Sequence, residues 1–201
     1  MKRPIESSTD LEGDLVTAEL LDRCKSGDER AWAELVELTH RQVYTLCLRI
    51  LKDPQDAAEA TQDAYLKVWR GLKGFRGDAR FGTWLYRVAS NSAISRHRRR
   101  RRTSSHEVGA DDELLARIPA DYSTEAQAGA RVELGHLERC LRQLPQIYRA
   151  PLVLRDVYGL SMSEIATQLK ISETAVKVRV HRGRKKLKDL MEKTTEREER
   201  Q

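Results

Sequence analysis

Apolar residues recur at helical spacing along most of the chain, and no apolar/polar alternation runs for long, so the pattern predicts helices with strands scarce. Leu15, Val16, Leu20, Leu21 and Cys24 mark a first helix, which Gly27 stops. Asp28 can cap a second, whose stripe runs through Ala31, Trp32, Leu35, Val36, Val43, Tyr44, Leu46, Cys47, Ile50 and Leu51. Asp53-Pro54 supplies an N-cap and then proline at the first helical position, so a third helix opens there. It carries Ala57, Ala60, Ala64, Tyr65 and Val68 and ends near Gly71 and Gly74. After a loop, a fourth helix starts near Thr83 with Trp84, Leu85, Val88, Ala89 and Ile94. Periodicity resumes from about Ser123 through Leu134, Leu137, Cys140, Leu141 and Leu144, until Pro145 breaks it. A further helix spans about 146–157, with Pro151 expected to kink it.

The stretch between these two periodic regions holds Ser, Gly and Asp and few apolar residues, so it reads as a flexible linker. The expected organisation is a polar tail at 1–14, a helical domain at 15–102, an acidic linker at 103–122, a second helical domain at 123–195 and a charged tail at 196–201. The fold class is all-α, with two small helical domains.

Composition supports that division. Of 201 residues, 39% are hydrophobic and 34% charged, which suits two small cores better than one large one. The formal net charge of +6 points to an anionic partner. Arg96 and Arg98 through Arg102 form one basic cluster. Lys177, Arg179, Arg182, Arg184, Lys185, Lys186 and Lys188 form another. Between them lie Glu107, Asp111, Asp112, Glu113 and Asp121, so two basic surfaces joined by an acidic linker read as two contacts with one polyanion. Cys24, Cys47 and Cys140 make no zinc or CxxC pattern and sit at apolar helix positions, which suggests buried free thiols. There is no secretory signal pattern and no apolar run of membrane length, so a cytoplasmic location is expected. No nucleophile–base pair, metal cluster or phosphate-binding glycine loop is visible, so neither catalysis nor a cofactor is expected.

Ser161-Met162-Ser163-Glu164 is a capping box, S-x-x-E. Ile165, Ala166 and Leu169 give the buried face of a short helix, Ile171-Ser172 makes a turn, and Ser172 can cap a second helix. At about 100° per residue, with Lys177 as zero, Val176, Val180 and Leu187 fall between about −60° and −100°. Lys177, Val178, His181, Arg182 and Lys185 fall between about 0° and +140°. One apolar seam and one basic face, after a short capped helix, is the design of a helix-turn-helix that reads the major groove. A lone basic helix is more often a solvated face, but here cap, turn, spacing and basic face agree.

The N-terminal half narrows the role. The run Asp56 to Arg70 (DAAEATQDAYLKVWR), Phe75-Arg76-Gly77-Asp78 and the run Thr83 to Asn91 (TWLYRVASN) strongly resemble conserved region 2 of sigma factors. Leu144-Pro145, Leu160-Ser161, Val176-Lys177 and His181-Arg182 resemble sigma region 4. The spacing is short, with no region 1.1 or region 3 domain visible, which is the layout of the extracytoplasmic-function (ECF) subfamily. The resemblance implies a bacterial transcription initiation factor that binds core RNA polymerase, recognises −10 and −35 promoter elements and helps open the DNA. It also implies an anti-sigma partner.

Residue by residue, the resemblance assigns Asp56, Gln62, Asp63, Lys67 and Arg70 to an outward face packed on the clamp helices of the polymerase beta-prime subunit, with the beta flap as a second polymerase contact. Without it, that face reads as solvated. Phe75, Arg76, Gly77, Asp78 and Arg80 match the loop handling the −10 element, with Arg87 and Asn91 on the following helix. An amide can donate and accept, which suits reading a base edge, though Asn91 serves equally as a surface residue. Trp84 reads as core and Tyr86 is open. Arg96, Arg98 and Arg99 are expected on phosphates, where arginines give salt-sensitive affinity with little sequence choice. Lys177, Val178, His181, Arg182 and Lys185 match the −35 reading face. Val178 stands where the family often has serine and can touch a thymine methyl but cannot hydrogen-bond.

Two other classes compete: a stand-alone helix-turn-helix regulator binding a palindrome as a dimer, and a basic RNA-binding or structural protein. The Phe75-to-Asn91 constellation separates the first, and the capped turn the second. Arg182→Ala is expected to cost about 1–3 kcal/mol at one base position of the −35 element. Equal losses across a panel of substituted −35 sequences would instead make Arg182 a phosphate contact.

Overall fold

The computed structural model describes residues 16–103 and 126–198; the expected tail at 1–14 and the expected linker from residue 104 on lie outside the described residues. Among the described residues there are eight α-helices: α1 (Ala18–Ser26), α2 (Glu29–Leu51), α3 (Pro54–Gly71), α4 (Phe81–Thr103), α5 (Ala126–Gln143), α6 (Gln146–Asp156), α7 (Met162–Leu169) and α8 (Glu173–Glu198). A single 3-10 turn, Leu72–Gly74, follows α3.

Local chemistry sets the boundaries. α1 stops at Gly27, whose φ of 93° is left-handed and lets its N–H reach the Arg23 and Cys24 carbonyls. The Asp28 carboxylate then accepts from the N–H groups of Arg30 and Ala31 and starts α2. α2 ends at Lys52, and Asp53 at once caps α3 by accepting from the Asp56 N–H, with Pro54 in the first turn. α4 begins at Phe81, earlier than the expected Thr83, because the Arg80 carbonyl already accepts from the Trp84 N–H at 3.2 Å. α8 continues to Glu198, into the stretch expected to be a tail.

α2 is the spine of the first half: Leu35, Val43, Leu46 and Ile50 are fully buried, and α1, α3 and α4 pack around it. Ala57, Ala60 and Ala64 on α3 are also fully buried, so small side chains let α3 lie close to its neighbours. Thr39 donates its hydroxyl to the Leu35 carbonyl, so across the α2–α3 seam the Tyr65 hydroxyl must donate to Thr39, at 2.8 Å. Cys24, Cys47 and Cys140 are buried free thiols, and burial pushes the Cys47 thiol up to about 12.

In the second half α8 packs across α6 and α7, with α5 alongside. The two halves also pack on each other, α2 against α6 and α4 against α7, and their buried side chains form one cluster. The two expected helical domains are both present, and they are in contact with each other across this cluster. Arg149, only 3% exposed, sits at the junction. Its guanidinium donates to the Leu144 carbonyl after α5 and to the Ile50 carbonyl in the last turn of α2, both at 2.9 Å. Carbonyls at helix C-termini lack intrahelical partners and favour a cation, so one arginine serves two helix ends.

Leu46→Ala is expected to lower stability by about 2–5 kcal/mol, since α2 is walled in and the cavity cannot collapse. A urea midpoint equal to that of the native chain would contradict the spine role of α2.

Candidate nucleic-acid interface

The helix-turn-helix is built by its caps. The Ser161 hydroxyl accepts from the Glu164 N–H while a Glu164 carboxylate oxygen accepts from the Ser161 N–H at 2.7 Å, which closes the capping box. Lys170 ends α7 in the left-handed region at φ 53°, and Ser172 caps α8 through the Ala175 N–H. Val176 and Val180 are buried, with Leu187 packed against the core. Gly183 allows α8 to approach α6, since a Cβ there would lie 3.3 Å from the Tyr148 carbonyl oxygen.

Lys177, Val178, His181, Arg182 and Lys185 all lie exposed on the opposite side of α8. The rest of that basic cluster is partly engaged within the protein. Arg184 makes two bonds to Asp156, Lys186 lies over the Tyr148 ring at 5.8 Å, and Lys188 pairs with Glu192. These three are themselves exposed, so they flank the five residues while part of their charge is met within the protein.

The second basic surface is α4 with the loop before it. Phe75 tucks inward against Phe81 and Trp84, at centroid separations of 5.7 Å and 5.2 Å, and Trp84 is half-buried in that ring cluster. Arg76, Gly77, Asp78 and Arg80 form the exposed part of the loop, with Gly77 at a φ of 82°. Asn91 and Arg99 are exposed. Tyr86, left open by sequence, is 5% exposed and packs on Tyr158 of the other half. Arg87 pairs with Glu164, and Arg98 donates to the Gln168 carbonyl at 3.2 Å. Gln168 accepts from Ser90 at 2.8 Å and is 8% exposed. In this arrangement α7 therefore takes up the groups of Arg87 and Arg98 that sequence reasoning assigned to DNA.

Two placements differ from expectation. Asp56 is not on an outward face: it is 8% exposed and accepts from Arg96 and Arg100, each at 2.6 Å. Burial alone would raise its carboxyl, but the two guanidiniums outweigh that and hold it below the usual carboxylate range. Arg96 is correspondingly turned toward α3, bonded to Asp56 and Glu59, and not toward solvent. The remaining α3 residues divide. Gln62, Lys67 and Arg70 are exposed and Asp63 half-buried, but the Lys67 ammonium reaches the Ser92 hydroxyl of α4 at 2.8 Å.

Sequence reasoning missed Leu66 and Trp69, which are 49% and 44% exposed. Together with Trp32, Val36 and Tyr65 they line a groove of about 410 Å³ between α2 and α3. The signal was available: Leu66 and Trp69 follow Gln62 at i+4 and i+7, on a side of α3 that the buried alanines do not use.

The chain matches the family models for Sigma-70 region 2 over residues 35–103 and Sigma-70, region 4 over residues 134–187. It is 32% identical over 179 residues to the ECF RNA polymerase sigma factor SigW of Bacillus subtilis, covering 85% of this chain and 96% of that protein. The chain belongs to the ECF group of the sigma-70 family. This sigma factor is also 34% identical over 171 residues to the RNA polymerase sigma-H factor of Pseudomonas aeruginosa, covering 83% of the chain and 89% of that protein. Its fold resembles CnrH, solved in complex with the cytosolic domain of CnrY, at a TM-score of 0.53 and 25% identity over 87% of this chain and 96% of that one. It also resembles the sigma factor RpoE of Bartonella quintana, solved with the anti-sigma factor NepR, at 0.60 and 22% identity over 80% and 96%. As a sigma factor it is a transcription initiation factor, and the stand-alone dimeric regulator is not favoured. Among the described residues no helix is long and apolar enough to cross a membrane.

Arg98 can exchange its single bond to the neutral Gln168 carbonyl for a phosphate, so replacing Arg98 and Arg99 of this sigma factor together with alanine is expected to weaken polymerase–promoter complexes at every promoter. The slope of log affinity against log salt should flatten by about 0.9 for each phosphate that is no longer neutralised. A filter-binding titration over a range of potassium chloride reads that slope, and an unaltered slope would count against the backbone assignment.

Proposed function

We propose that this sigma factor holds core RNA polymerase through the α2–α3 groove and places two DNA-reading surfaces on a promoter. The observation that carries the reading is the exposed aromatic groove standing apart from the basic surfaces. A protein that binds only DNA has no use for half-exposed Trp69 and Leu66. Tryptophan and tyrosine anchors are typical of the small set of side chains that dominate an interface. The groove suits the beta-prime clamp helices, with Gln62, Asp63, Lys67 and Arg70 as a polar rim and Asp56 left out. A second apolar groove of about 450 Å³, between α5, α6 and α8 and lined by Leu137, Leu141, Leu152, Val157 and Leu187, suits an apolar helix of the beta flap.

On the DNA side, Arg76, Gly77, Asp78, Arg80 and Asn91 form the −10 surface, with Phe75 packed beneath them, where an unpaired base can be gripped by edge contacts, and the end of α4 meets the DNA backbone through Arg98 and Arg99. Lys177, Val178, His181, Arg182 and Lys185 form the −35 surface. With both held on one polymerase, the second contact becomes effectively intramolecular and two weak surfaces bind as one strong one. The chain acts in the cytoplasm, performs no covalent chemistry itself, and is held inactive by an anti-sigma factor, as suggested by RpoE being solved with NepR.

Purified chain added to core polymerase should yield run-off transcripts from a subset of promoters of its own organism; no transcript from any of them would sink the reading. In the same assay Trp69→Ala is expected to raise the sigma concentration needed for half-maximal transcript by about tenfold or more, the loss typical of an interface anchor. A titration identical to that of the native chain would remove the groove from the polymerase contact.

A further inference from the structure

Six arginines lie between residues 96 and 102, but they do not share one environment. Arg96 and Arg100 are one helical turn apart and both face the start of α3. The Arg96 Nε donates to one Asp56 oxygen and the Arg100 Nη1 to the other, each at 2.6 Å. Arg96 also meets Glu59 at 2.5 Å, and Arg100 meets Asp53 at 3.2 Å. Asp53, Asp56 and Glu59 thus form a column of three carboxylates against two guanidiniums. Asp56 is its centre, the one member bonded to both, with a side chain only 12% exposed against 37% and 44% for Asp53 and Glu59. Arg98 points elsewhere, toward α7.

We propose that Asp56 is a positioning residue for promoter binding, which withholds Arg96 and Arg100 from the DNA backbone. The proposal rests on reading the end of α4 as a backbone contact. Its physical basis is an unfavourable exchange. For Arg96, 20% exposed, to reach a phosphate it must leave the buried Asp56 short of a partner, which is destabilising, and the half-exposed Arg100 has its charge already met by Asp56 and Asp53. A guanidinium already neutralised by an internal carboxylate also adds little to counterion release. The acid column therefore sets the phosphate register of the helix. It lets α4 keep a long arginine run without every member gripping DNA at any sequence.

The test is the salt dependence of promoter binding by holoenzyme assembled from core polymerase and the full chain. Asp56→Asn keeps the shape and removes the charge. Its slope of log affinity against log potassium chloride is expected to steepen by about 1–2, at about 0.9 per additional phosphate neutralised. Adding Arg96→Gln and Arg100→Gln to Asp56→Asn should return the slope to that of the native chain. A merely structural Asp56 would change stability but not this slope. A native slope in Asp56→Asn overturns the proposal, as does a steep slope that persists in the triple variant. So does a loss confined to core-polymerase affinity at native slope, which would make Asp56 a polymerase contact. Should Asp56→Asn lose its helical circular dichroism, Arg96→Gln with Arg100→Gln in the otherwise native chain removes the two withheld guanidiniums and should leave the slope unchanged; a slope flatter by about 0.9 or more, which would mean that they already neutralise phosphates, overturns the proposal equally. Failure of the underlying reading is separate: it appears as an unaltered slope in the Arg98→Ala, Arg99→Ala chain, whatever Asp56→Asn does.

Discussion

α4 must hold a dense run of positive charge in a helix, and much of the structure answers that requirement. Like charges one turn apart on a helix repel. The C-terminal end of a helix favours cations, but that effect acts only within the last turn. The carboxylates at the start of α3 supply the remainder by neutralising Arg96 and Arg100. Asp53 has a double use, since one oxygen caps α3 while the other meets Arg100. The cap that starts α3 and the acid column that holds α4 are therefore one piece of chemistry. α4 keeps its phase, and with it the directions in which Asn91, Arg98 and Arg99 point.

The same sharing of groups recurs at the junction of the halves. Arg149 satisfies carbonyls at the ends of α5 and α2, so the end of one half is completed by a side chain from the other. Arg49 reaches Glu138 and Tyr158 in the same way. α7 contributes twice, because Glu164 closes its own capping box and also pairs with Arg87. In this packing the α8 strip remains open while Arg87, Ser90 and Arg98 of α4 are occupied by α7. The two DNA-directed surfaces thus differ in accessibility although both are basic.

Much of this was legible in advance because it is local. Gly27, Asp28, Asp53-Pro54, Ser161 with Glu164, and Ser172 act through bonds spanning three or four residues, and each behaves as its identity predicts. The α8 strip was legible for the same reason, since a regular helix converts spacing into direction. The α3 face was read less well. Gln62, Asp63, Lys67, Arg70 and Asp56 look equivalent as polar residues on a helix, yet one edge of α3 turns to α4 and the other to Trp32 of α2. Periodicity gives relative angles but not which neighbour occupies each angle.

By itself the sequence determined the all-α class, the order of the helices, their caps, the outward strip of α8 and the resemblance to sigma regions 2 and 4, because all of these depend on residues near in the chain or on motifs read in order. Only the tertiary structure decided that Asp56 and Arg96 face each other, that Leu66 and Trp69 open a groove, that Gln168 is buried and that the two halves share a core. Those outcomes depend on contacts between residues tens of positions apart, such as 40 for Asp56 and Arg96 and 78 for Ser90 and Gln168. A charge or an apolar ring acquires its role from the partner across the contact, and that partner is set by packing.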